Sequence, residues 1–189
     1  MKRTSQINPA NSRRQRGLTA IELLMYLAVA GIVILIALPA ASLLIERHRL
    51  KSTSGHLVSG LYLAKSEAQT RASTVKICPS QDSRSCRSDG DWSSGWVIYS
   101  DGNGDGVAQE IEVLEVFEAP EDHVRIHASG ATRTTAAFTA TGLVGNNDSA
   151  HGEFVLCPAH SGSGTRVIEV DADGWVSVQS AGSEKCRSS

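Results

Sequence analysis

Residues 23–45 contain no Asp, Glu, Lys, Arg or His. About 20 such residues span the hydrocarbon core of a bilayer as a helix, so this 23-residue run predicts a membrane-spanning helix. Lys2, Arg3, Arg13, Arg14 and Arg16 precede it, and the first 17 residues hold no acid. The positive-inside bias then keeps that end in the cytoplasm and exports the remainder. A secretory signal peptide has a shorter apolar core, roughly 7–15 residues, followed by a small-residue cleavage site. Here the small residue, Gly17, comes before the run. Glu22 stands at the edge of the run, where a carboxylate is costly and therefore marks a functional position that needs a partner.

The stretch Gly17-Leu18-Thr19-Ala20-Ile21-Glu22-Leu23-Leu24, with its basic leader, resembles the processing site of type IV pilins and pseudopilins. The resemblance implies that a prepilin peptidase cuts between Gly17 and Leu18 and methylates the new amino terminus of Leu18. Leu18 stands where the family more often has Phe. Glu22 becomes the fifth mature residue, which in that family is thought to pair with the terminal amine of a neighbouring subunit. Gly31 and Pro39 fall where family helices often carry Gly and Pro.

The apolar stripe continues beyond the run. Leu43, Leu50, Leu57, Leu61, Ala64 and Ala68 share one helical face, with Glu46, Arg47, Arg49, Lys51, Lys65, Glu67 and Arg71 around it. Pro39 removes one helical hydrogen bond, and Gly55 and Gly60 weaken the helix locally. From residue 74 the period changes to two, with strands expected at 74–78, 95–100, 111–117, 124–127, 135–140, 153–157, 166–170 and 175–178. The fold class expected is α+β: a long N-terminal helix, transmembrane then amphipathic, packed on a β-rich, two-sheet C-terminal domain. The division is a leader at 1–17, a transmembrane or filament-core helix at 18–45, its amphipathic continuation at 46–73, and a β-rich periplasmic domain at 74–189.

Residues 46–189 carry a net charge near −6, so the basic leader masks an acidic exported part. An acidic domain is a poor generic binder of nucleic acid. Cys78, Cys86, Cys157 and Cys186 all lie in that part, and an even count in an oxidising compartment favours disulfides. Three pairings are possible. Cys78–Cys86, a short local loop, with Cys157–Cys186, which pins the C-terminal tail, is the one favoured.

The segments 64–68 (with Arg71), 75–78, 95–99 (with Trp92 and Asp101) and, more weakly, 154–157, 166–168 and Gly174 resemble the H-type pseudopilin (GspH)/FimT family. The resemblance implies a pilin-like fold and a minor pilin or pseudopilin anchored once in a bacterial inner membrane, amino terminus cytoplasmic and C-terminal domain periplasmic. The implied partners are other pilin or pseudopilin subunits, the prepilin peptidase and the inner-membrane assembly platform. Its function would be assembly into a type II secretion pseudopilus or a type IV pilus. The alternative is a DNA-binding minor pilin acting in DNA uptake. Some relatives bind DNA through a basic Gly-Arg-x-Arg motif, but the matching stretch here is Gly174-Trp175-Val176-Ser177, beside Asp171 and Asp173. Arg125, His127 and Arg133 form the other loose basic group.

Residues 101–112 fit the calcium-loop pattern D-x-[DN]-x-[DN]-G-x5-E. Asp101, Asn103, Asp105, the Val107 carbonyl and Glu112 would supply oxygens, and Gly106 the sharp turn. A plain Gly/Asn/Asp turn between strands uses the same residues. No other cofactor is expected. His123 and His127 are spaced for one strand face, a reading that suits surface residues better than a metal pair. No HExxH, Gly-x-Ser-x-Gly or P-loop motif is present, so no enzyme is expected. Trp92, Trp96 and Trp175 are read as packing residues.

Overall fold

The computed structural model describes residues 19–120, 124–141, 151–158 and 164–187, without the side chains of 36–41 and 43. The chain forms two compact units, Met1–Ala40 and Ala41–Ser189. Helix α1, Ala20–Arg71, contributes to both and stays helical through Pro39. Among the described residues no helix is long and apolar enough to cross a membrane.

In the second unit the predicted stripe is the buried one: Leu50, Leu57, Leu61, Ala64 and Ala68 are at most 3% exposed. The helix ends at Arg71, with Ala72 in the left-handed region at φ 50°. Among the described residues eight strands follow: β1 Val75–Pro79, β2 Gly95–Ser100, β3 Val113–Glu118, β4 Arg125–Gly130, β5 Ala136–Phe138, β6 Gly152–Cys157, β7 Thr165–Val170 and β8 Val176–Ala181. They form two four-stranded antiparallel sheets, ordered β3-β2-β1-β5 and β4-β6-β7-β8. The α+β architecture of a helix packed on two sheets is therefore present.

The main core joins the helix stripe to Val75, Ile77, Trp96, Ile98 and Phe138 of the first sheet and to Ile126, Phe154, Leu156 and Ile168 of the second. Alternate residues of a strand face opposite ways. Accordingly Cys78, Val97 and Tyr99 point to the other face of the first sheet, where Ala108 and Cys86 cover them. Trp92 caps the junction, its ring edge-on to Phe154 at 4.9 Å and its Nε1 donating to the Arg133 carbonyl at 3.0 Å. Trp96 stacks on Phe117. Trp175 departs from the packing role read for it: it sits just before β8 on the turn from β7 and is 61% exposed.

The two helix glycines differ. Nothing lies within 4 Å of a Cβ built on Gly55, whereas one on Gly60 would meet Trp96 Nε1 at 3.2 Å and Ile77 Cδ1 at 3.3 Å. Gly60 is what lets the sheet approach the helix. Gly55→Ala should therefore raise the unfolding free energy by about 0.5–1 kcal/mol. Gly60→Ala should gain less or lose, because its methyl presses on the core. Urea midpoints of the two variants decide this; equal gains would refute the close-approach argument.

Candidate functional site

Thr19-Ala20-Ile21-Glu22 opens α1 as a capping box spells it, Thr at the cap and Glu three residues on. The Glu22 backbone N–H donates to Thr19 Oγ1 at 3.3 Å, and the Leu23 N–H to the Thr19 carbonyl at 3.1 Å. A carboxylate in the first turn also suits the positive end of the helix dipole. Glu22 is exposed there, and the helix that follows is lined with exposed apolar side chains: Ile21 is 71%, Leu24 65% and Leu35 73% exposed. A helix that is apolar all round belongs in the interior of an assembly or a membrane. Gly17 and Leu18, the predicted cleavage pair, lie outside the described residues. The capping box was available in the sequence as the Thr19–Glu22 spacing and identifies the start of the helix independently of any resemblance.

The structure joins Cys78 to Cys86 and Cys157 to Cys186, the pairing favoured among the three. The first ties β1 to the loop that follows it. The second ties β6 to the short 3-10 helix Ser183–Arg187.

The loop of the calcium pattern folds on itself. Asp101, 7% exposed, accepts from Lys76 Nζ at 2.5 Å and from the Gly106 N–H at 3.3 Å. Asp105 accepts from the Val107 N–H, Asn103 Nδ2 and Gln109 Nε2. The Tyr99 hydroxyl donates to the Gly106 carbonyl at 3.1 Å. Glu112 has one buried carboxylate oxygen without a hydrogen-bond partner. Among the described residues no three His, Cys, Asp or Glu side chains converge as a metal ion would require. A lysine ammonium sits against Asp101, which the spacing of 101–112 could not show because Lys76 lies on β1.

That ammonium is the main reason the Asp101 carboxyl is held below the usual carboxylate range; partial desolvation opposes it and the Gly106 N–H assists. Burial, reinforced by the charges of Asp101, Asp105 and Glu112, pushes the Tyr99 hydroxyl up to about 12. A carboxyl whose folded value is depressed contributes stability above its unfolded value, about 4, that is lost as pH falls through the folded value. Unfolding free energy should therefore drop as pH falls below about 4. Lys76→Met should be less stable at neutral pH and flatten that acid limb. Asp82, held low chiefly by the Ser85 hydroxyl, and Asp89, held at about 2 by Arg87, keep their settings in both proteins. Urea titrations between pH 7 and 2.5 give the slopes; parallel slopes would remove the Lys76–Asp101 pair as a stabilising contact.

Of the loose basic group, Arg125 and His127 lie on β4 and Arg133 on the turn after it. His123 lies outside the described residues. Gly174 and Trp175 form the turn between β7 and β8, where Asp171 and Asp173 are exposed and Lys65 Nζ donates to the carbonyls of Asp173 and Gly174.

The family model described as type II transport protein GspH matches residues 53–174. The solved type IV minor pilin FimU of Pseudomonas aeruginosa superposes with a TM-score of 0.56 at 21% identity, covering 71% of this chain and 90% of that one. The minor pseudopilin EpsH from the type 2 secretion system of Vibrio cholerae superposes with a TM-score of 0.50 at 10% identity, covering 70% of this chain and 97% of that one. Among curated proteins no sequence matches significantly. The structural likenesses rest on low identity and speak for the fold: a helix carrying two antiparallel sheets, as in pilins. The family-model match spans more than half of the chain, and the chain accordingly belongs to the type IV pilin-like GspH/FimT family.

Proposed function

We propose that the protein is a structural subunit, a minor pilin or pseudopilin, cleaved between Gly17 and Leu18, N-methylated on Leu18 and assembled through α1 into a secretion pseudopilus or a pilus. Before assembly the apolar run anchors it in the inner membrane, with residues 46–189 on the periplasmic side. The observation that carries this reading is the first part of α1. Its apolar side chains are exposed on all sides, and a single carboxylate, Glu22, sits in its first turn. Such a surface is unstable in water and is satisfied by lipid, then by the helices of neighbouring subunits. Cleavage would leave the Leu18 ammonium four residues before Glu22. In a low-dielectric helix bundle, a carboxylate of one subunit facing the terminal ammonium of the next attracts it far more strongly than in water. The pair also fixes register, since a carboxylate without its partner would be buried uncompensated.

Intact-mass and N-terminal peptide spectrometry on membranes, with and without prepilin peptidase, tests the processing step. Loss of residues 1–17 plus one methyl on Leu18, dependent on the peptidase, is the expected result. An uncut chain, or a cut after the apolar run, would overturn it. Glu22→Gln should still be cleaved, because the scissile bond is untouched, yet enter sheared filaments at least about tenfold less, equivalent to about 1.4 kcal/mol per subunit contact. Normal incorporation of that variant would remove Glu22 from assembly.

A further inference from the structure

Four basic side chains meet in one groove of the exported unit although that unit is acidic as a whole. Arg47, Arg49 and Lys51 come from α1, and Arg166 comes from β7, more than a hundred residues later in the chain. The groove encloses about 760 Å³ and is also lined by Leu44 and Ile45, which are 69% and 51% exposed. Glu46 is the acid of that helical turn. In the sequence the cluster starts two residues after the apolar run ends. Three basic residues so close behind an exported span work against the orientation bias set by the leader.

We propose that this groove is a seat for the phosphate headgroups of anionic phospholipids on the membrane surface from which residues 46–189 emerge. The proposal rests on the membrane reading given above. Leu44 and Ile45 provide the apolar edge that meets the acyl boundary, and Arg47, Lys51 and Arg166 place cationic ends at headgroup level. Long basic side chains do this readily, laying their methylene stems along apolar surface while the charge stays in the polar layer. Guanidinium groups match phosphate oxygens in a planar fork, so arginine suits this ligand better than a point charge does. Polybasic segments beside a membrane anchor draw anionic lipid over a distance of about a Debye length, roughly 8–10 Å in physiological salt. The consequence for the cycle is a domain held against the bilayer while the subunit waits in the membrane, and released when the helix leaves lipid.

The test uses the full chain reconstituted in vesicles of equal phosphatidylcholine and phosphatidylglycerol. The chain is extracted with its surrounding lipid in polymer-bounded discs, and the lipid in each disc is counted by mass spectrometry. The ratio of phosphatidylglycerol to phosphatidylcholine around the wild type should be at least about twofold above the bulk ratio of one. The variant Arg47→Gln/Lys51→Gln/Arg166→Gln, checked for folding by circular dichroism, should return to the bulk ratio. The wild type alone gives a second reading: its enrichment should collapse at about 1 M salt, where the Debye length is about 3 Å. Absence of enrichment, enrichment that survives the triple substitution, or enrichment indifferent to salt would each overturn the proposal. So would salt-sensitive binding of duplex DNA by the same three residues without lipid enrichment, which would assign the groove to nucleic acid. Failure of the membrane reading shows separately, as a chain washed out of the vesicles by alkaline carbonate.

Discussion

Phe154→Ala is expected to lower the unfolding free energy by about 3–5 kcal/mol. Phe154 is fully buried on β6, in the core that joins both sheets to α1. Its ring meets the edge of Trp92 at 85° between planes, a geometry worth about 0.5–1.5 kcal/mol beyond area burial. Collapse around the missing ring is resisted because Trp92 is held by its hydrogen bond to the Arg133 carbonyl. The cost should therefore sit toward the upper part of the range. Denaturant unfolding followed by tryptophan fluorescence measures it. Phe154→Leu should lose less, since most of the volume is kept. A loss below about 1 kcal/mol in the alanine variant would mean that the core repacks freely.

Removing the bridge between Cys157 and Cys186 should cost about 3–4 kcal/mol, by the chain-entropy scaling for its sequence separation of 29. Alanine at both positions is the appropriate substitution, because Cys157 is fully buried and a serine hydroxyl there would add a separate penalty. The Cys78–Cys86 bridge closes a separation of only 8, and its removal should cost about 1 kcal/mol less. Comparing the two double-alanine variants under oxidising conditions checks the order. A larger loss at Cys78/Cys86 would show that loop closure in the unfolded chain is not what dominates.

Much of this architecture could be read from residue spacing. The stripe Leu50, Leu57, Leu61, Ala64 and Ala68 identified the buried helix face, and all eight strands were located to within a few residues. Periodicity works for the helix because one face of it is in the core, and for the strands because short apolar runs are bounded by turn residues. It misled at Trp175, since an aromatic on a turn has no face to declare. The spacing of residues 101–112 names a possible oxygen set but is silent about Lys76, which reaches Asp101 only once β1 and β2 are paired. The same limit hid the basic groove: Arg166 joins Arg47 through tertiary packing alone. At the start of α1, by contrast, Thr19 and Glu22 act on each other within one turn, so sequence and structure speak of the same contact.

The strand order carries a consequence for how the second unit comes apart. In chain order β3 belongs to the first sheet, β4 to the second, β5 to the first again and β6 to the second. The chain therefore crosses between the sheets at each step from β3 to β6, and β5 lies beside β1 with a strand of the other sheet on either side of it in the sequence. These crossings couple the two sheets, and the two are expected to unfold in one transition. Their non-local pairings make folding slow compared with a helical bundle of similar size. Coupled in this way, β1 and β6 should lose hydrogen-exchange protection together as denaturant is added.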